Sequence, residues 1–174
     1  VLAWEGDVQP LEGQTLAWQA PNRIDVSPVL PANAPIMHAL ALPDTYAISN
    51  VAEMGKVAFL QALLRGIDQG LQLIQIREKA LNENALSTLV DEVLSMCAPY
   101  GASLMLNADI ALAEKLGVHG VHLNSHALMQ LDKKPTGLMV GASCHDANQL
   151  THAEQLALDF VVLSPVLPTL SHPE

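Results

Sequence analysis

The sequence predicts an α/β fold in which parallel strands curl into part of a (β/α)8 barrel, with about six βα units. Strand-like runs alternate with stretches of helical period from residue 44 onward, as in βα repeats. Aromatic residues make up 3% of the chain, and an aliphatic core is typical of a parallel sheet covered by helices. Polar residues come after each strand, which favours a barrel over a doubly wound sheet with one switch point. We expect the last two βα units to be missing; a complete smaller fold is the alternative.

Residues 1–43 lack this alternation. The stretches 1–5 and 14–19 look like short strands joined by a glycine-containing loop, and three prolines between residues 28 and 35 indicate a further loop. Residues 34–42 fit a short helix with Pro35 in its first turn. The sequence therefore predicts a β-rich segment with a linker over 1–43 and the barrel over 44–174.

The barrel elements are arranged in order along the chain. Residues 45–49 are a strand candidate, and 57–69 has apolar residues at helical spacing before Gly70, which favours a helix end. Residues 71–76 form a strand that ends in charge, and 86–98 a helix. The remaining candidates are strands 103–106, 120–123, 138–143 and 160–163, and helices 110–116 and 147–156.

Composition excludes several classes of function. The formal net charge is -10 with only 8 Lys and Arg, so a nucleic-acid polymer is a poor partner. No apolar run has transmembrane length, no secretion leader opens the chain, and Cys97 and Cys144 give no disulfide framework. We therefore expect a cytoplasmic protein without a membrane partner. The chain lacks an initial Met and stops after a Ser-His-Pro turn, so we expect it to be a fragment.

A cationic motif lies at the C-terminal end of the second predicted barrel strand. Alternation along a strand sends Gln75, Arg77 and Lys79 to one side, which in a barrel is the interior near the mouth. A planar guanidinium, an ammonium and an amide in one place suit a phosphate or pyrophosphate. The alternative is a solvated strand end at which Arg77 and Lys79 pair with Glu78.

The motif Gln75-x-Arg77-x-Lys79 resembles the second-strand signature of the thiamin-phosphate-synthase/TenI family, whose fold is a TIM (β/α)8 barrel. Other segments resemble the family in the same order along about 130 residues. These segments are Tyr46-Ala47-Ile48-Ser49, Leu106-Asn107, Gly120-Val121-His122-Leu123, Gly141-Ala142-Ser143-Cys144-His145 and Ser164-Pro165-Val166-Leu167-Pro168-Thr169.

The resemblance implies small phosphorylated ligands. Thiamin phosphate synthase is a transferase that joins a hydroxymethylpyrimidine pyrophosphate to a thiazole phosphate and releases pyrophosphate. Carried over by position, the expected ligand contacts are Gln75, Arg77, Lys79 and Asn107 for the pyrimidine pyrophosphate, Ser143 for the released pyrophosphate and Thr169 for the thiazole phosphate.

Two departures from the synthase pattern concern magnesium. The positions at which the synthase resemblance implies metal-binding Asp residues hold Ala108 and Ala127. Asp109 comes one residue later, but a shift of one residue redirects the side chain. Because Mg²⁺ prefers carboxylate oxygens in near-octahedral geometry, we expect no dependable metal site in the barrel.

The same departures make the chain resemble the TenI branch, which is a metal-free thiazole tautomerase. His145 matches the acid/base histidine of that branch, and a near-neutral pKa suits proton transfer. The alternative role for His145 is hydrogen bonding at a strand end. His122, in the middle of a strand, is predicted to be a buried packing residue.

The first 40 or so residues resemble the C-terminal part of a MutT-type Nudix hydrolase, which hydrolyses 8-oxo-dGTP with Mg²⁺. The matching segments are Trp4-Glu5-Gly6-Asp7, Glu12-Gly13-Gln14, Trp18 and Leu30-Pro31-Ala32-Asn33-Ala34-Pro35-Ile36. The resemblance implies that Asn33 reads the nucleobase and that Glu12 lies near the metal-bound phosphates of the nucleoside triphosphate. A turn-forming role is the alternative for Asn33. The glutamate-rich Nudix box is absent from this sequence, so it predicts no nucleotide hydrolysis by the chain itself.

These residues support three hypotheses about function. The first is a bifunctional parent protein, a Nudix hydrolase fused to a barrel that binds phosphorylated thiamin precursors and performs synthase chemistry. The second is a metal-free tautomerase barrel that acts through His145. The third is a non-catalytic module that holds a phosphorylated ligand through Arg77 and Lys79. Whether this chain alone is an enzyme stays open.

Overall fold

The computed structural model describes residues 5–21 and 23–165. The chain divides into two units, Val1–Leu42 and Pro43–Glu174, each considered by itself. None of the described helices combines the length and the apolar character needed to cross a membrane.

The first unit has little regular structure. A 3-10 turn, Pro31–Asn33, leads into helix α1, Ala34–Ala41, close to the predicted helix 34–42. The strand predicted over 14–19 is wrong, and the described residues there form only an isolated bridge between Ala20 and Arg23. A strand needs a neighbour that accepts its backbone hydrogen bonds, and the described part of this unit offers none. The strand predicted over 1–5 falls, apart from Glu5, outside the described residues.

The second unit contains the repeated βα elements. Its strands are β1 (Tyr46–Ile48), β2 (Leu73–Ile76), β3 (Ser103–Leu106), β4 (Gly120–Leu123), β5 (Met139–Cys144) and β6 (Phe160–Leu163). Its α-helices are α2 (Val51–Met54), α3 (Lys56–Asp68), α4 (Glu83–Cys97), α5 (Ile110–Lys115), α6 (Ser125–Met129) and α7 (Ala147–Gln155), with a 3-10 turn at Ala98–Tyr100.

The described strands form one parallel sheet in the order β1-β2-β3-β4-β5-β6. The ring centroids of Tyr46 on β1 and Phe160 on β6 lie 5.2 Å apart. In a flat sheet, strands five places apart would be separated by roughly 24 Å. The sheet therefore curls into a half-barrel, which confirms the predicted α/β fold with six parallel strands.

The hydrophobic core lies between the outer face of the sheet and the helices. Along α3 the buried side chains are Phe59, Leu63 and Ile67, at a spacing of four residues that places them on one side of the helix. Alternate strand residues complete the core: Ile74, Ile76, Leu104, Leu106, Val121, Leu123, Val140, Ala142 and Cys144.

Four polar residues at the carboxyl rim of the sheet begin helices. The side chains of Asn82, Asp109, Asn124 and Asp146 accept hydrogen bonds from backbone N–H groups at 3.0, 2.8, 2.8 and 2.9 Å, each three residues further on. Such N-caps satisfy donors that the first helical turn leaves unpaired. Part of the polarity after the strands is therefore structural.

Gly141 makes room for an aromatic ring inside the half-barrel. Residue 141 pairs with Phe160 on the neighbouring strand. A Cβ atom at position 141 would lie 2.5 Å from Cζ of Phe160, which is closer than atoms can approach. Only glycine lets the Phe160 ring pack across β5 at this level.

Candidate functional site

A chain of hydrogen bonds crosses the interior of the half-barrel. The Gln75 amide donates from Nε2 to the Tyr46 hydroxyl at 2.8 Å. The Tyr46 hydroxyl lies 3.2 Å from Nδ1 of His122, and Nε2 of His122 lies 3.0 Å from Oγ of Ser143. Gln75 and His122 are only 2% and 3% exposed, so the chain links polar groups that water barely reaches. His122 is buried, as predicted, and it also carries specific hydrogen bonds.

This environment fixes the protonation of both rings. Burial lowers the pKa of His122 from 6.5 to about 4, and the nearby positive charge of Arg77 acts in the same direction. Burial raises the pKa of Tyr46, opposed by the hydrogen bond from Gln75. At neutral pH the imidazole is therefore uncharged and the phenol keeps its proton.

A cavity of about 220 Å³ opens at the carboxyl ends of the strands, directly above this chain. Its walls are formed by Ile48, Gln75, Arg77, Asn107, His122, Ser143, His145, Val162 and Ser164. The cavity brings together five of the predicted site residues, Gln75, Arg77, Asn107, Ser143 and His145. It sits where barrel proteins bind their ligands.

Arg77 and Lys79, the predicted cationic pair, both line a neighbouring cavity of about 500 Å³. Of the two, Arg77 also lines the first cavity, together with Gln75. Strand β2 ends at Ile76, so the alternation that would align Lys79 with Gln75 stops before residue 79. The expectation that Gln75, Arg77 and Lys79 contact one anion stays a prediction.

Glu78 does not neutralise these cations. Its carboxylate accepts hydrogen bonds from Oγ of Ser49 at 2.5 Å and from the backbone N–H of Val51 at 2.8 Å. The ion pairs among the described residues involve neither Arg77 nor Lys79. The alternative in which Arg77 and Lys79 pair with Glu78 is not the arrangement that forms.

Two further predicted residues are held by backbone carbonyl groups. Asn107 donates one amide hydrogen from Nδ2 to the carbonyl oxygen of His122 at 3.0 Å, which leaves its second amide hydrogen for another acceptor. Nδ1 of His145 makes a short hydrogen bond with the carbonyl oxygen of Ser164. A carbonyl only accepts, so Nδ1 of His145 carries a hydrogen.

The residues present do not fit a magnesium ion. Within the described chain, no carboxylate lines the smaller of the two cavities around Arg77, and no cluster of three His, Cys, Asp or Glu side chains occurs. The larger cavity is lined by Glu53 and Glu78, whose carboxylates accept hydrogen bonds from other protein groups. Ala108 and Ala127 pack against the hydrophobic core, and Asp109 caps α5. We therefore assign no chemistry to a metal in this barrel.

The remaining predicted residues are Asn33, Glu12 and Thr169. Asn33 ends the 3-10 turn and precedes α1 without capping it through its side chain. Glu12 is exposed, and its backbone N–H donates to Gln14 Oε1 at 2.9 Å. Both belong to the first unit. Thr169 lies outside the described residues.

Sequence reasoning gave no role to four residues of the site. These are Tyr46, the link between Gln75 and His122, and three residues that line the cavity, Ile48, Val162 and Ser164. The signal was present for two of them, because Tyr46 and Ile48 alternate along β1 and so face one side of the sheet.

Parallel βα units that curl around a polar cavity at the strand ends define the β/α-barrel class of protein. The family described as thiamine monophosphate synthase (TMP-TENI) matches residues 45–174, and the chain belongs to this family. This confirms the resemblance predicted for the barrel. It does not test the resemblance of the first residues to a Nudix domain.

Individual relatives agree with this family assignment. An Aquifex aeolicus protein named "Putative thiamine-phosphate synthase 2" is 32% identical over 137 residues, covering 78% of this chain and 73% of the relative. The thiamine-phosphate synthase of Photorhabdus laumondii is 31% identical over 78% of this chain and 59% of its own length. A solved structure, thiamine phosphate pyrophosphorylase from Pyrococcus furiosus, superposes with a TM-score of 0.59 at 19% identity, covering 73% of this chain and 62% of the other. The chain thus spans about three fifths of the latter two.

Proposed function

We propose that the barrel binds phosphorylated precursors of thiamin phosphate, a pyrimidine pyrophosphate and a thiazole phosphate, and takes part in joining them. The observation that carries this proposal is the cavity that Arg77 lines together with the uncharged hydrogen-bond donors Asn107 and Ser143. Membership of the family supports the choice of ligand. The names of the relatives support the reaction class.

The chemistry of the cavity suits a phosphoryl group. Arg77 supplies a permanent positive charge and a planar set of donors that matches phosphate oxygens. Asn107 and Ser143 add neutral donors from β3 and β5. The same groups would stabilise charge that builds up on a departing pyrophosphate. In the described cavity no carboxylate opposes the anion.

Removing Arg77 tests the proposal most directly. We expect Arg77→Ala to weaken the binding of inorganic pyrophosphate roughly ten- to a hundredfold, because a charge-assisted hydrogen bond is lost. Isothermal titration calorimetry measures the affinity. Arg65→Ala on the outer helix α3 is the matched control and should bind like the unmodified chain. Equal affinity of the Arg77 and Arg65 variants would overturn the assignment.

Product formation separates catalysis from binding. The chain is incubated with the pyrimidine pyrophosphate, the thiazole phosphate and Mg²⁺, and thiamin phosphate is measured. Formation that depends on Arg77 supports the synthase reaction. Binding without product would instead favour the non-catalytic module held by Arg77 and Lys79.

A metal-free tautomerase is the second candidate, favoured by the lack of carboxylates in the described cavity. His145 lines that cavity, and its hydrogen bond to the Ser164 carbonyl places the imidazole proton on Nδ1. A histidine side chain can both give and take the proton that a 1,3-proton shift moves. We expect His145→Ala to abolish isomerisation of a thiazole carboxylate phosphate while pyrophosphate affinity changes little. Isomerisation at the unmodified rate would eliminate this candidate.

We also propose that residues 1–43 are the C-terminal end of a MutT-type Nudix domain in a longer protein, with Asn33 and Glu12 in its nucleotide site. The spacing of the matching segments supports this, as does the division of the chain after Leu42. The coding sequence upstream of Val1 is the test. A Nudix box in the same reading frame is expected, and its absence from the complete gene would remove the proposal.

A further inference from the structure

The hydrogen-bond chain beneath the cavity has a defined direction. The Tyr46 oxygen accepts from Nε2 of Gln75 at 2.8 Å, so the phenol hydrogen must find its own acceptor. Within residues 5–21 and 23–165, the other group within reach is Nδ1 of His122 at 3.2 Å. Tyr46 therefore donates to Nδ1, and that nitrogen carries no hydrogen.

The direction of hydrogen-bond donation, from Tyr46 toward Ser143, continues through the imidazole of His122. A neutral histidine carries one ring hydrogen, and here it must be on Nε2. Burial and the charge of Arg77 both keep the ring neutral by lowering the pKa of His122. Nε2–H accordingly donates to Oγ of Ser143, 3.0 Å away.

The last hydrogen of the chain belongs to Ser143. Its oxygen already accepts from His122, and the described residues provide no acceptor for its own hydrogen. Ser143 lines the same cavity as Arg77 and Asn107. The Ser143 hydrogen is thus available to whatever occupies that cavity.

We propose that Tyr46 and His122 are positioning residues that hold Ser143 as a hydrogen-bond donor to a phosphoryl oxygen of the ligand. The inference rests on the proposed function and adds to it the direction of the hydrogen bonds, that is, which groups donate and which accept. Because Oγ of Ser143 accepts a hydrogen bond from His122, its own hydrogen is directed to another acceptor. An anionic phosphoryl oxygen in the cavity would be such an acceptor.

The tautomer of His122 is the first test and needs no ligand. Nitrogen-15 NMR distinguishes a ring nitrogen that bears hydrogen from one that does not, and the His122→Gln spectrum identifies the signals. We expect hydrogen on Nε2 in the unmodified chain. In Tyr46→Phe, which keeps the aromatic ring, the loss of the donor should allow the Nδ1–H form to appear. Hydrogen on Nδ1 in the unmodified chain would overturn the proposal.

A double-mutant cycle is the second test, with inorganic pyrophosphate as the probe. Ser143→Ala should weaken binding roughly ten- to a hundredfold, since a donor to a charged oxygen is lost. Tyr46→Phe should weaken it roughly two- to tenfold in the unmodified background and not at all in the Ser143→Ala background. The control is Tyr100→Phe, an exposed tyrosine that bonds to Asp68, and it should leave binding unchanged.

The outcomes are distinguishable. If Tyr46→Phe lowers pyrophosphate affinity equally in both backgrounds, Tyr46 acts on the fold and not through Ser143. That result would overturn the inference. His122→Gln, which retains an amide donor near Nε2, should bind more tightly than His122→Leu; equal weakness of the two would contradict it as well. If the unmodified chain does not bind pyrophosphate, the proposed function fails together with the donor role of Ser143. The hydrogen-bond order of Tyr46 and His122 is then decided by NMR alone.

Discussion

The two faces of the parallel sheet use neighbouring residues for different purposes. On the outer face, Ile76 and Leu104 are fully buried against the helices. On the inner face, Gln75, His122 and Ser143 belong to one hydrogen-bonded chain beneath the cavity. Gln75 and Ile76 are adjacent in sequence, yet they serve opposite faces because strand side chains alternate. The outer face should therefore control stability and the inner face the chemistry, and substitutions can separate the two.

The largest effect is expected on the outer face. Leu104→Ala removes a side chain that is 0% exposed and leaves a cavity, which should lower the free energy of unfolding by about 3–4 kcal/mol. Urea denaturation measures the loss. Leu64→Ala, at a 42% exposed position on α3, is the matched control and should cost far less. Similar losses at both positions would break the distinction between the faces.

The inner face should make stability depend on pH. His122 binds a proton more weakly in the fold than after unfolding, because its pKa falls from 6.5 to about 4. The unfolded chain binds more protons between these values, so the contribution of His122 falls as pH decreases from 6.5 to 4. The loss should be on the order of 3 kcal/mol. Denaturation across this range checks it, and His122→Gln should flatten the dependence; an unchanged slope in that variant would refute the assignment.

The smallest effect is expected at a rim residue that belongs to neither face. Asn124→Ala removes the cap of α6 and should lower the free energy of unfolding by about 1 kcal/mol. Pyrophosphate affinity should be unchanged, because Asn124 does not line the cavity. A clear loss of affinity would show that the rim cannot be divided into capping and binding residues. Calorimetry and denaturation of the same preparation supply both values.

The sequence predicted the sheet well and the first unit poorly. The bounds of β3, β4 and β6 agree with the predictions 103–106, 120–123 and 160–163. Each is a short apolar run between polar residues, and its parallel neighbours lie within the same chain. The strand predicted over 14–19 does not form. A period-2 pattern says nothing about whether a partner strand exists, so this failure lay beyond sequence reasoning.

Prediction from the sequence was also limited for short helices and for the direction of side chains. Helices α2 and α6 have too few residues to show a period, although Asn124 is the kind of residue that begins a helix. Residues Gln75, Arg77, Asn107, Ser143 and His145 were identified from the sequence and share a cavity. Lys79 lies past the end of β2, where strand alternation no longer predicts the direction of a side chain. Alternation along β1 places Tyr46 and Ile48 on one face, but it does not show that the Tyr46 hydroxyl bridges an amide and an imidazole.

The packing of Phe160 over Gly141 has a consequence for the tolerance of the inner face to substitution. A Cβ atom at position 141 would overlap the Phe160 ring, so Gly141→Ala should displace that ring. The same ring meets Tyr46 edge-on, with centroids 5.2 Å apart, and Tyr46 links Gln75 to His122. A residue without a side chain is thus a condition for the order of the polar groups around it.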